Sequence, residues 1–389
     1  MSGEFELLAV GGGPAGFSAA RAYRESGGDG AVAIIADEHR VPYNRPPLSK
    51  DLLREETSEQ ELPLEDELWF SAHGVELVSG RAVSLDPHER VVTLSGGREL
   101  RYRSCVLATG AEPTRIPVPG GDDPAVRVLR SLDHLRELKL RLEPGSRPVV
   151  IGSGFIGCEI AASLRMLGHP VTLVSDETAP NLARLGEEAA REIAGWLRDE
   201  GVQLRLGAEV AKIERRGGGL EVLAGDERSA GTVVVMATGV APRLELAVDA
   251  GAALDGGAIA ADAQMRTSLP GLLAAGDACA AENSTAGRRL RVEHWGDALG
   301  QGKVAGRTAA GAAARWDDVP GFWSTIGNRI LKYAAWGDGF QEARFEPRGD
   351  GAFVVWYGQD GRLAGVLAHG CDDDYDRGRK LIAEGAQWS

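Results

Sequence analysis

The segment Phe5-Glu-Leu-Leu-Ala-Val-Gly-Gly-Gly-Pro-Ala-Gly16 is the strongest indication of the fold of this chain. Its first part, Phe5 to Val10, is mostly apolar and predicts a short buried strand. Glycines follow at positions 11, 13 and 16, and the small-residue segment Phe17 to Glu25 predicts a helix. A strand, a glycine turn and a helix in this order bring backbone N–H groups and the positive helix end to one point. That point is typical of a pyrophosphate-binding site.

The same pattern returns 141 residues later, in Pro148-Val-Val-Ile-Gly-Ser-Gly-Phe-Ile-Gly157. A helix is predicted from this turn to Leu167, and the strand Val171 to Val174 follows it, as Ala31 to Ala36 follows the first helix. Each copy is therefore predicted to form a parallel βαβ unit. Because the repeat is the size of a domain, we expect two Rossmann-like domains rather than a solenoid, whose repeats span about 20–50 residues.

The later segments of the two copies also correspond. Each copy has a predicted hairpin, Val91 to Tyr102 and Glu209 to Ala224, and each then has a strand that ends in Ala-Thr-Gly, at 108–110 and 237–239. From about Arg315 the chain is richer in tryptophan and in alternating strand-like runs, which predicts a small α+β domain. We expect an α/β fold of three domains, over residues 1–115 with 240–314, 116–239, and 315–389.

An acidic residue after the second strand of such a unit binds the adenosine ribose. Asp37 stands 21 residues after Gly16 and fills this role in the first copy. In the second copy Ser175 comes first, and Asp176 and Glu177 follow. These two carboxylates repel the 2′-phosphate that distinguishes NADPH from NADH, so the sequence favours NADH. Two dinucleotide sites in one chain imply that a flavin and a nicotinamide are brought together.

Composition excludes several classes of protein. The net charge of −14 opposes binding to nucleic acid or to an anionic membrane. Glycine makes up 53 of the 389 residues, about twice its usual share of ~7%. The four cysteines, at 105, 158, 279 and 371, lack the C-x-x-C spacing of a redox dithiol or a zinc site, so we expect reduced thiols and no metal. Without a signal peptide or a transmembrane run, we expect a cytoplasmic monomer or homodimer.

A family resemblance follows from four further segments. Val41-Pro-Tyr-Asn-Arg-Pro-Pro-Leu-Ser-Lys-Asp-Leu52 resembles a segment of ferredoxin and rubredoxin reductases of the putidaredoxin reductase type, which apoptosis-inducing factor shares. Leu273-Ala-Ala-Gly-Asp277, Val292-Glu-His-Trp295 with Gln301-Gly302, and Gly321-Phe-Trp-Ser324 are similar to later motifs of these proteins. The resemblance covers essentially the whole chain and implies the glutathione reductase fold, with an FAD-binding domain, an NAD-binding domain and a C-terminal α+β domain.

The resemblance also implies contacts to FAD. Asp37 is expected at the adenosine ribose, Arg45 and Lys50 near the pyrophosphate and isoalloxazine, and Asp277 at the ribityl or pyrophosphate region. Trp295 is expected against the ring or in packing, as is Trp323, and His294 either at the flavin edge or in packing. The full set of expected FAD positions is Gly11, Gly13, Pro14, Ala15, Gly16, Asp37, Arg45, Lys50, Val83, Ala108, Thr109, Gly110, Arg130, Gly276, Asp277, Glu293, His294, Trp295 and Trp323.

The second turn is expected to hold the nicotinamide dinucleotide. The positions implied are Gly152, Gly154, Phe155, Ile156, Gly157, Glu159, Asp176, Glu177, Thr238 and Gly239. In the resembling enzymes, the residues that match Lys50 and Glu159 pair beside the reacting rings. These two are therefore the expected catalytic residues, with a purely structural ion pair as the alternative.

The function implied is an FAD-dependent NADH:ferredoxin or NADH:rubredoxin reductase. A hydride would pass from the nicotinamide to the flavin, and single electrons would pass on to an iron–sulfur protein that serves a cytochrome P450 or a ring-hydroxylating oxygenase. The alternatives are an NAD(P)H oxidase and a redox sensor like apoptosis-inducing factor. We expect electrons to leave near Trp295 and Trp323, beside a basic docking patch. The candidates for that patch are Arg307, Arg315, Arg329, Lys332 and Arg344.

Overall fold

The computed structural model describes residues 4–388 as an alternation of strands and helices. The strands are β1 (Glu4–Val10), β2 (Val32–Ala36), β3 (Val75–Ser79), β4 (Ala82–Asp86), β5 (Val91–Leu94), β6 (Glu99–Leu107), β7 (Ala111–Pro113), β8 (Val126–Val128), β9 (Pro148–Ile151), β10 (Thr172–Ser175), β11 (Gln203–Leu206), β12 (Val210–Arg216), β13 (Gly219–Ala224), β14 (Glu227–Gly231), β15 (Val233–Met236), β16 (Val240–Pro242), β17 (Leu254–Asp255), β18 (Ala258–Ala261), β19 (Leu272–Ala274), β20 (Cys279–Asn283), β21 (Arg288–Arg291), β22 (Gly321–Ile326), β23 (Arg329–Ala335), β24 (Glu342–Gly349), β25 (Ala352–Gln359) and β26 (Arg362–His369). The helices are α1 (Pro14–Glu25), α2 (Glu67–Ala72), α3 (Leu132–Lys139), α4 (Phe155–Met166), α5 (Leu182–Leu185), α6 (Glu187–Asp199), α7 (Glu245–Asp249), α8 (Trp295–Ala309) and α9 (Asp372–Ala383).

Two sheets with parallel cores carry the two glycine turns. The first has the order β3-β2-β1-β6-β5-β4, with β19 also paired to β6, and its strands β1, β2, β3, β6 and β19 run parallel. The second has the order β11-β10-β9-β15-β8 and is parallel throughout. Both turns therefore lie at the carboxyl end of a central strand, which is where ligands bind in open α/β sheets.

The C-terminal part is an antiparallel sheet of order β22-β23-β26-β25-β24, with α9 packed on it. It is attached to the second parallel unit by polar contacts as well as apolar ones. The Tyr357 hydroxyl donates a hydrogen bond of 2.9 Å to the Leu185 carbonyl, and Arg329 forms ion pairs with Asp199 and Glu200. The expected fold, two Rossmann-like units with a small α+β region, is confirmed. We propose that the three units are domains with the boundaries predicted above.

Helices α1 and α8 approach each other closely because glycine faces the backbone of α1. A Cβ atom at Gly302 would lie 2.3 Å from the Ala15 carbonyl oxygen, and one at Gly306 would lie 2.1 Å from the Ala19 carbonyl oxygen. This close packing brings the start of α8, and with it Trp295, to the first glycine turn. Within residues 4–388, no helix has both the length and the apolar character needed to cross a bilayer.

One predicted boundary was wrong. The sequence suggested a hairpin that ends at Tyr102 and a separate strand that ends in Ala-Thr-Gly at 108–110, but β6 runs unbroken over Glu99–Leu107 and stops before that motif. No glycine or proline interrupts this segment, so the backbone has no reason to turn. The continuous strand pairs with β5 at one end and with β1 and β19 at the other, which joins the hairpin to the parallel sheet.

Candidate functional site

A cavity of about 1310 Å³ lies where the two parallel units and the C-terminal sheet meet. Pockets for one drug-sized ligand measure about 300–1,000 Å³, so this cavity has room for more than one ligand. Most of the positions expected from the sequence line it: Gly11, Gly13, Pro14, Ala15, Asp37, Arg45, Lys50, Val83, Ala108, Thr109, Gly110, Arg130, Gly154, Phe155, Ile156, Glu159, Glu177, Gly239, Gly276, Asp277, Glu293, His294, Trp295 and Trp323.

Five expected positions are not among the lining residues: Gly16, Gly152, Gly157, Asp176 and Thr238. Three of them are glycines at positions where a nearby backbone carbonyl leaves no room for a side chain. A Cβ at Gly16 or Gly157 would lie 2.0 Å from the carbonyl oxygen of Gly11 or Gly152, respectively, and one at Gly152 would lie 2.4 Å from that of Ala237. Asp176 is exposed. The Thr238 hydroxyl donates a hydrogen bond of 3.0 Å to the Thr114 carbonyl.

The first glycine turn fits a pyrophosphate group. Gly11 has a φ of +131° and its Cβ position lies 2.0 Å from the Ala108 carbonyl oxygen, so no other residue type is tolerated there. Gly13 caps α1, and a Cβ built on it would meet nothing within 4 Å, which leaves the space above the helix open. The first turn of α1 has no acidic residue and no capping side chain, so its N–H groups and positive end are available to an anion.

The second turn repeats this geometry on α4. Gly152 has a φ of +105°, Gly154 caps the helix with nothing within 4 Å of a built Cβ, and the first turn again has no acidic residue. The two turns therefore present the same anion-binding backbone to one cavity. The residues present fit two dinucleotides, one for each turn.

Charged residues surround the end of the first unit where Asp37 lies. An Arg45 N–H donates to the Glu38 carboxylate at 2.5 Å and another to the Arg130 carbonyl at 2.8 Å. The Tyr43 hydroxyl donates to Glu38 at 2.6 Å, and burial, together with this carboxylate, raises the pKa of Tyr43. Arg243 was not expected from the sequence, and its guanidinium lies 3.7 Å from an oxygen of Asp37.

Arg130 and Asp277 meet across the cavity wall. The Arg130 guanidinium lies 2.5 Å from the Asp277 carboxylate, and 147 residues separate them in sequence. Gln301 holds the neighbouring turn, since its side-chain oxygen accepts a hydrogen bond of 2.8 Å from the Gly276 N–H. The Gln301 Nε2 atom is buried without a hydrogen-bond partner among the described residues. These contacts fix the position of a charged pair that faces the ligand space.

The second unit uses Glu177, rather than Asp176, on the cavity side. The Glu177 carboxylate accepts hydrogen bonds from the Ala183 N–H at 3.0 Å and from the Ser153 hydroxyl at 3.2 Å. Ser175 is buried, and its hydroxyl oxygen lies 2.8 Å from that of Ser153. The glycine turn is thereby connected to the acid that follows the second strand, and Glu177 is held at the edge of the cavity.

Lys50 and Glu159 form a buried ion pair in the cavity wall. They are 6% and 4% exposed, and Lys50 Nζ lies 3.1 Å from each oxygen of the Glu159 carboxylate. The Ser49 hydroxyl donates to the same carboxylate at 2.5 Å, and the Ser324 hydroxyl donates at 2.7 Å. A buried pair whose carboxylate is hydrogen-bonded on both oxygens keeps both charges in place. Sequence reasoning assigned no role to Ser49 or Ser324, although both lie within the motifs that carried the family resemblance.

Aromatic side chains cover the side of the cavity formed by the C-terminal sheet. Phe322 lies between Phe155 of α4 and His294, with ring centroids 4.7 Å from each. His294 Nδ1 lies 3.0 Å from the Asp297 carboxylate, which also accepts a hydrogen bond from the Gly321 N–H at 3.2 Å. Trp323, on the opposite side of the strand from Phe322, is 45% exposed. An aromatic edge thus reaches from the cavity to the surface.

The cysteines are free thiols. Burial raises the pKa of Cys105, Cys158 and Cys279, and these three side chains are fully buried. Cys371 lies partly exposed at the start of α9. A redox dithiol needs two close, accessible sulfurs of which one has a low pKa, and these thiols do not have that character.

The expected basic docking patch is largely neutralised. Arg329 pairs with Asp199 and Glu200, Lys332 with Asp372, and Arg344 with Glu346. The Arg307 guanidinium donates to a backbone carbonyl at 3.0 Å. The acidic partners of Arg329 and Lys332 lie at the end of α6 and at the start of α9, which the sequence order did not indicate, whereas Glu346 lies two residues from Arg344 on the same strand.

Comparison with known proteins confirms the resemblance. The family model described as pyridine nucleotide-disulphide oxidoreductase matches residues 5–302. Rubredoxin-NAD(+) reductase of Pseudomonas putida is 32% identical over 331 residues, which are 84% of this chain and 85% of that protein.

Two solved structures share the fold over nearly the whole chain. The ferredoxin reductase for the CYP199A2 system from Rhodopseudomonas palustris has a TM-score of 0.92 and 31% identity, covering 98% of this chain and 95% of that one. The covalent putidaredoxin reductase–putidaredoxin complex has a TM-score of 0.92 and 28% identity, covering 97% and 93%. With two equivalent glycine turns on one cavity and a family model that matches most of its length, this chain belongs to the pyridine nucleotide-disulphide oxidoreductase family.

Proposed function

We propose that this chain is an FAD-dependent NADH:ferredoxin or NADH:rubredoxin reductase. The observation that carries the proposal is that both glycine turns open onto one cavity, which the buried Lys50–Glu159 pair also lines. Two dinucleotides held in one cavity can exchange electrons directly. The names of the Pseudomonas putida and Rhodopseudomonas palustris relatives support the class of acceptor, and the second name supports a place upstream of a P450-type oxygenase.

The first unit would hold FAD and the second NADH. The N–H groups at the start of α1 would bind the FAD pyrophosphate, Asp37 the adenosine ribose, and the Arg130–Asp277 pair the part of FAD nearer the ring. When bound, FAD supplies the chemistry that converts one two-electron transfer from NADH into two one-electron transfers. The chain positions both molecules and excludes water from the space between them.

Lys50 provides a fixed positive charge in this space. A preorganised cation in a buried site stabilises negative charge that develops on a bound ring, without the cost of reorienting water. Glu159 keeps the ammonium group in place with two contacts of 3.1 Å. Because a lysine ammonium has three N–H groups, one remains for a ligand.

We propose NADH as the preferred nicotinamide cofactor. Glu177 lines the cavity beside the second turn and is held by Ala183 and Ser153. A carboxylate held at the ribose position accepts hydrogen bonds from the hydroxyls of NADH, but repels the 2′-phosphate of NADPH. We further propose a cytoplasmic location, which suits four free thiols.

The proposed partner is a small iron–sulfur protein that docks near Trp323. This side chain lines the cavity and is 45% exposed, so it connects the site to the surface. Direct electron exit through this edge needs no thiol relay. A disulfide reductase mechanism is not supported, since three of the four thiols are fully buried with raised pKa values.

The experiment is a steady-state comparison of electron acceptors. The FAD-loaded protein is mixed with NADH and with a rubredoxin, a [2Fe–2S] ferredoxin, or dioxygen alone. The proposal predicts turnover with an iron–sulfur acceptor at least ten times faster than with dioxygen. Equal rates would identify an oxidase. Rapid reduction by NADH with slow reoxidation by every acceptor would identify a redox sensor like apoptosis-inducing factor.

A further inference from the structure

The Glu159 carboxylate lies where three parts of the chain meet. Glu159 itself belongs to α4 of the second unit, and Ser49 and Lys50 come from the 3-10 turn Pro46–Ser49 and the residue after it. Ser324 comes from β22 of the C-terminal sheet. All four side chains are buried, and hydrogen bonds to Glu159 join positions up to 166 residues apart in sequence. One carboxylate thus connects both parallel units with the C-terminal sheet.

The two oxygens of this carboxylate have different hydroxyl partners. Oε2 accepts a hydrogen bond from the Ser49 hydroxyl at 2.5 Å. Oε1 accepts from the Ser324 hydroxyl at 2.7 Å and from the Thr325 N–H at 3.3 Å. Lys50 Nζ lies 3.1 Å from both oxygens. Equal distances depend on the orientation of the carboxylate, because the ammonium nitrogen must lie midway between the two oxygens. The last torsion of a glutamate has no strong preference of its own. Hydroxyl groups bound to each oxygen supply that orientation.

Ser324 is directed to Glu159 by the alternation of strand β22. Phe322, Ser324 and Ile326 share the face toward α4, whereas Trp323 lies on the opposite face. Ser324 is 1% exposed, and Trp323 is 45% exposed. A hydroxyl group buried this deeply destabilises the fold unless it is hydrogen-bonded, and here its bond is to the charged group that holds Lys50.

We propose that Ser324 is a positioning residue for electron transfer from NADH. It fixes the orientation of Glu159, and Glu159 in turn fixes the ammonium group of Lys50 in the cavity. The inference rests on the proposed function and adds a role for the C-terminal sheet in the first half of the reaction. Ser49 performs the matching task on the other oxygen, from the first unit.

The variant S324A removes one hydroxyl and leaves the backbone donor of Thr325 in place. We expect the limiting rate of FAD reduction by NADH to fall about 10-fold, because a hydrogen bond to a charged group is lost and the ammonium is held less firmly. The dissociation constants for FAD and NADH should stay within about twofold of the original, since Ser324 is absent from the cavity lining. Restoring a hydroxyl with S324T should restore most of the rate.

The experiment is an anaerobic stopped-flow titration with NADH, without any iron–sulfur acceptor. The variants are S324A, S324T, E159Q and S324A/E159Q, and S146A is the matched control. Ser146 is also a buried serine, and its hydroxyl bonds to the backbone of Arg141 and Glu143 rather than to an acid. If S324A does not retain FAD, S324C replaces it, since cysteine has nearly the same shape and is a weak donor.

The double variant separates positioning from general stability. If Ser324 acts through Glu159, the S324A substitution lowers the rate of FAD reduction about 10-fold in the original protein. In the E159Q background the same substitution lowers that rate by less than about twofold. An unchanged rate in FAD-loaded S324A, or an equal slowing in the E159Q background, would overturn the inference. If NADH fails to reduce the FAD of the original protein, the proposed function itself fails, and that outcome is visible before any variant is compared.

Discussion

Lys50 Nζ lies 3.1 Å from both oxygens of the Glu159 carboxylate, although the two residues are 109 positions apart and belong to different parallel units. The pair is buried, and its carboxylate is also bound by Ser49 and Ser324. A charged pair of this kind contributes little net stability compared with an apolar replacement. Its presence in the wall of a ligand cavity therefore favours a functional role.

The variant K50A should slow FAD reduction by NADH while FAD stays bound. It removes the fixed cation and leaves the Glu159 carboxylate buried without its ion-pair partner. Breaking a buried pair in this way costs about 3–5 kcal/mol, so the thermal midpoint should fall as well. Stopped-flow reduction and thermal unfolding of the FAD-loaded variant measure both effects. An unchanged reduction rate in the folded variant would assign the pair to structure alone.

The variants G13A and G154A should separate the two dinucleotide sites. A Cβ at either position meets no protein atom within 4 Å, and both residues have negative φ, so the fold should tolerate alanine. The added methyl instead enters the space above a helix start. We expect G13A to weaken FAD binding by about 10-fold or more with NADH binding intact, and G154A to do the reverse.

Fluorescence titration of the apoprotein with FAD, and stopped-flow titration of the loaded protein with NADH, give the two dissociation constants. If G154A weakened FAD binding as strongly as G13A does, the assignment of one turn to each dinucleotide would be incorrect.

The variant E177A should reduce the preference for NADH over NADPH. Removing the carboxylate that lines the cavity relieves repulsion of the 2′-phosphate and removes a partner for the ribose hydroxyls. We expect the ratio of kcat/KM with NADH to kcat/KM with NADPH to fall about 10-fold or more. D176A is the matched control, because Asp176 is exposed and does not line the cavity. An equal change in both variants would show that overall charge, and not Glu177, sets the preference.

The four thiols should differ sharply in reactivity. A thiolate is the reactive species, and burial raises the pKa of all four thiols, but only Cys371 is partly exposed to a reagent. At pH 8 a thiol reagent such as Ellman's reagent should modify Cys371 in the native protein and all four after denaturation. The C371S variant should then show almost no native reaction and full activity. Rapid reaction of a second thiol would indicate an accessible cysteine that the structure does not explain.

His134 should contribute a pH dependence to stability. Burial lowers the pKa of this side chain, which lines the cavity. The folded state therefore resists protonation, so the stability it contributes is present above about pH 6.5, the usual histidine pKa, and is lost as the pH falls below that value. The thermal midpoint of H134Q should fall less between pH 7 and pH 5.5 than that of the original protein. An identical fall would show that other groups control acid stability.

The glycine turns could be predicted because their chemistry is local. Strand, turn and helix follow one another directly in sequence. Only the steric demand at Gly11 is not local, since it comes from the Ala108 carbonyl just after β6. Spacing alone also pointed to Asp37, which lines the cavity. In the second unit both Asp176 and Glu177 fitted the spacing. The hydrogen bond from the Ala183 N–H holds Glu177 at the cavity, and the spacing does not show this contact.

The contacts of Ser324 and Arg243 could not be predicted in this way. Ser324 reaches Glu159 across 165 residues, and Arg243 lies near Asp37 only because the chain returns to the first unit after the second. The same reason applies to the basic residues Arg329 and Lys332, whose acidic partners lie on α6 and at the start of α9. Local patterns indicate elements and turns, whereas such pairings depend on how complete units pack.

The most direct test of the account is an anaerobic double-mixing experiment. The FAD-loaded protein is first mixed with one equivalent of NADH and then, after the flavin absorbance has bleached, with an excess of oxidised ferredoxin or rubredoxin. We expect each FAD to reduce two molecules of the iron–sulfur protein, at the rate at which the flavin absorbance returns. Flavin that stays reduced in the presence of every iron–sulfur acceptor, and is reoxidised when dioxygen is admitted, would contradict it.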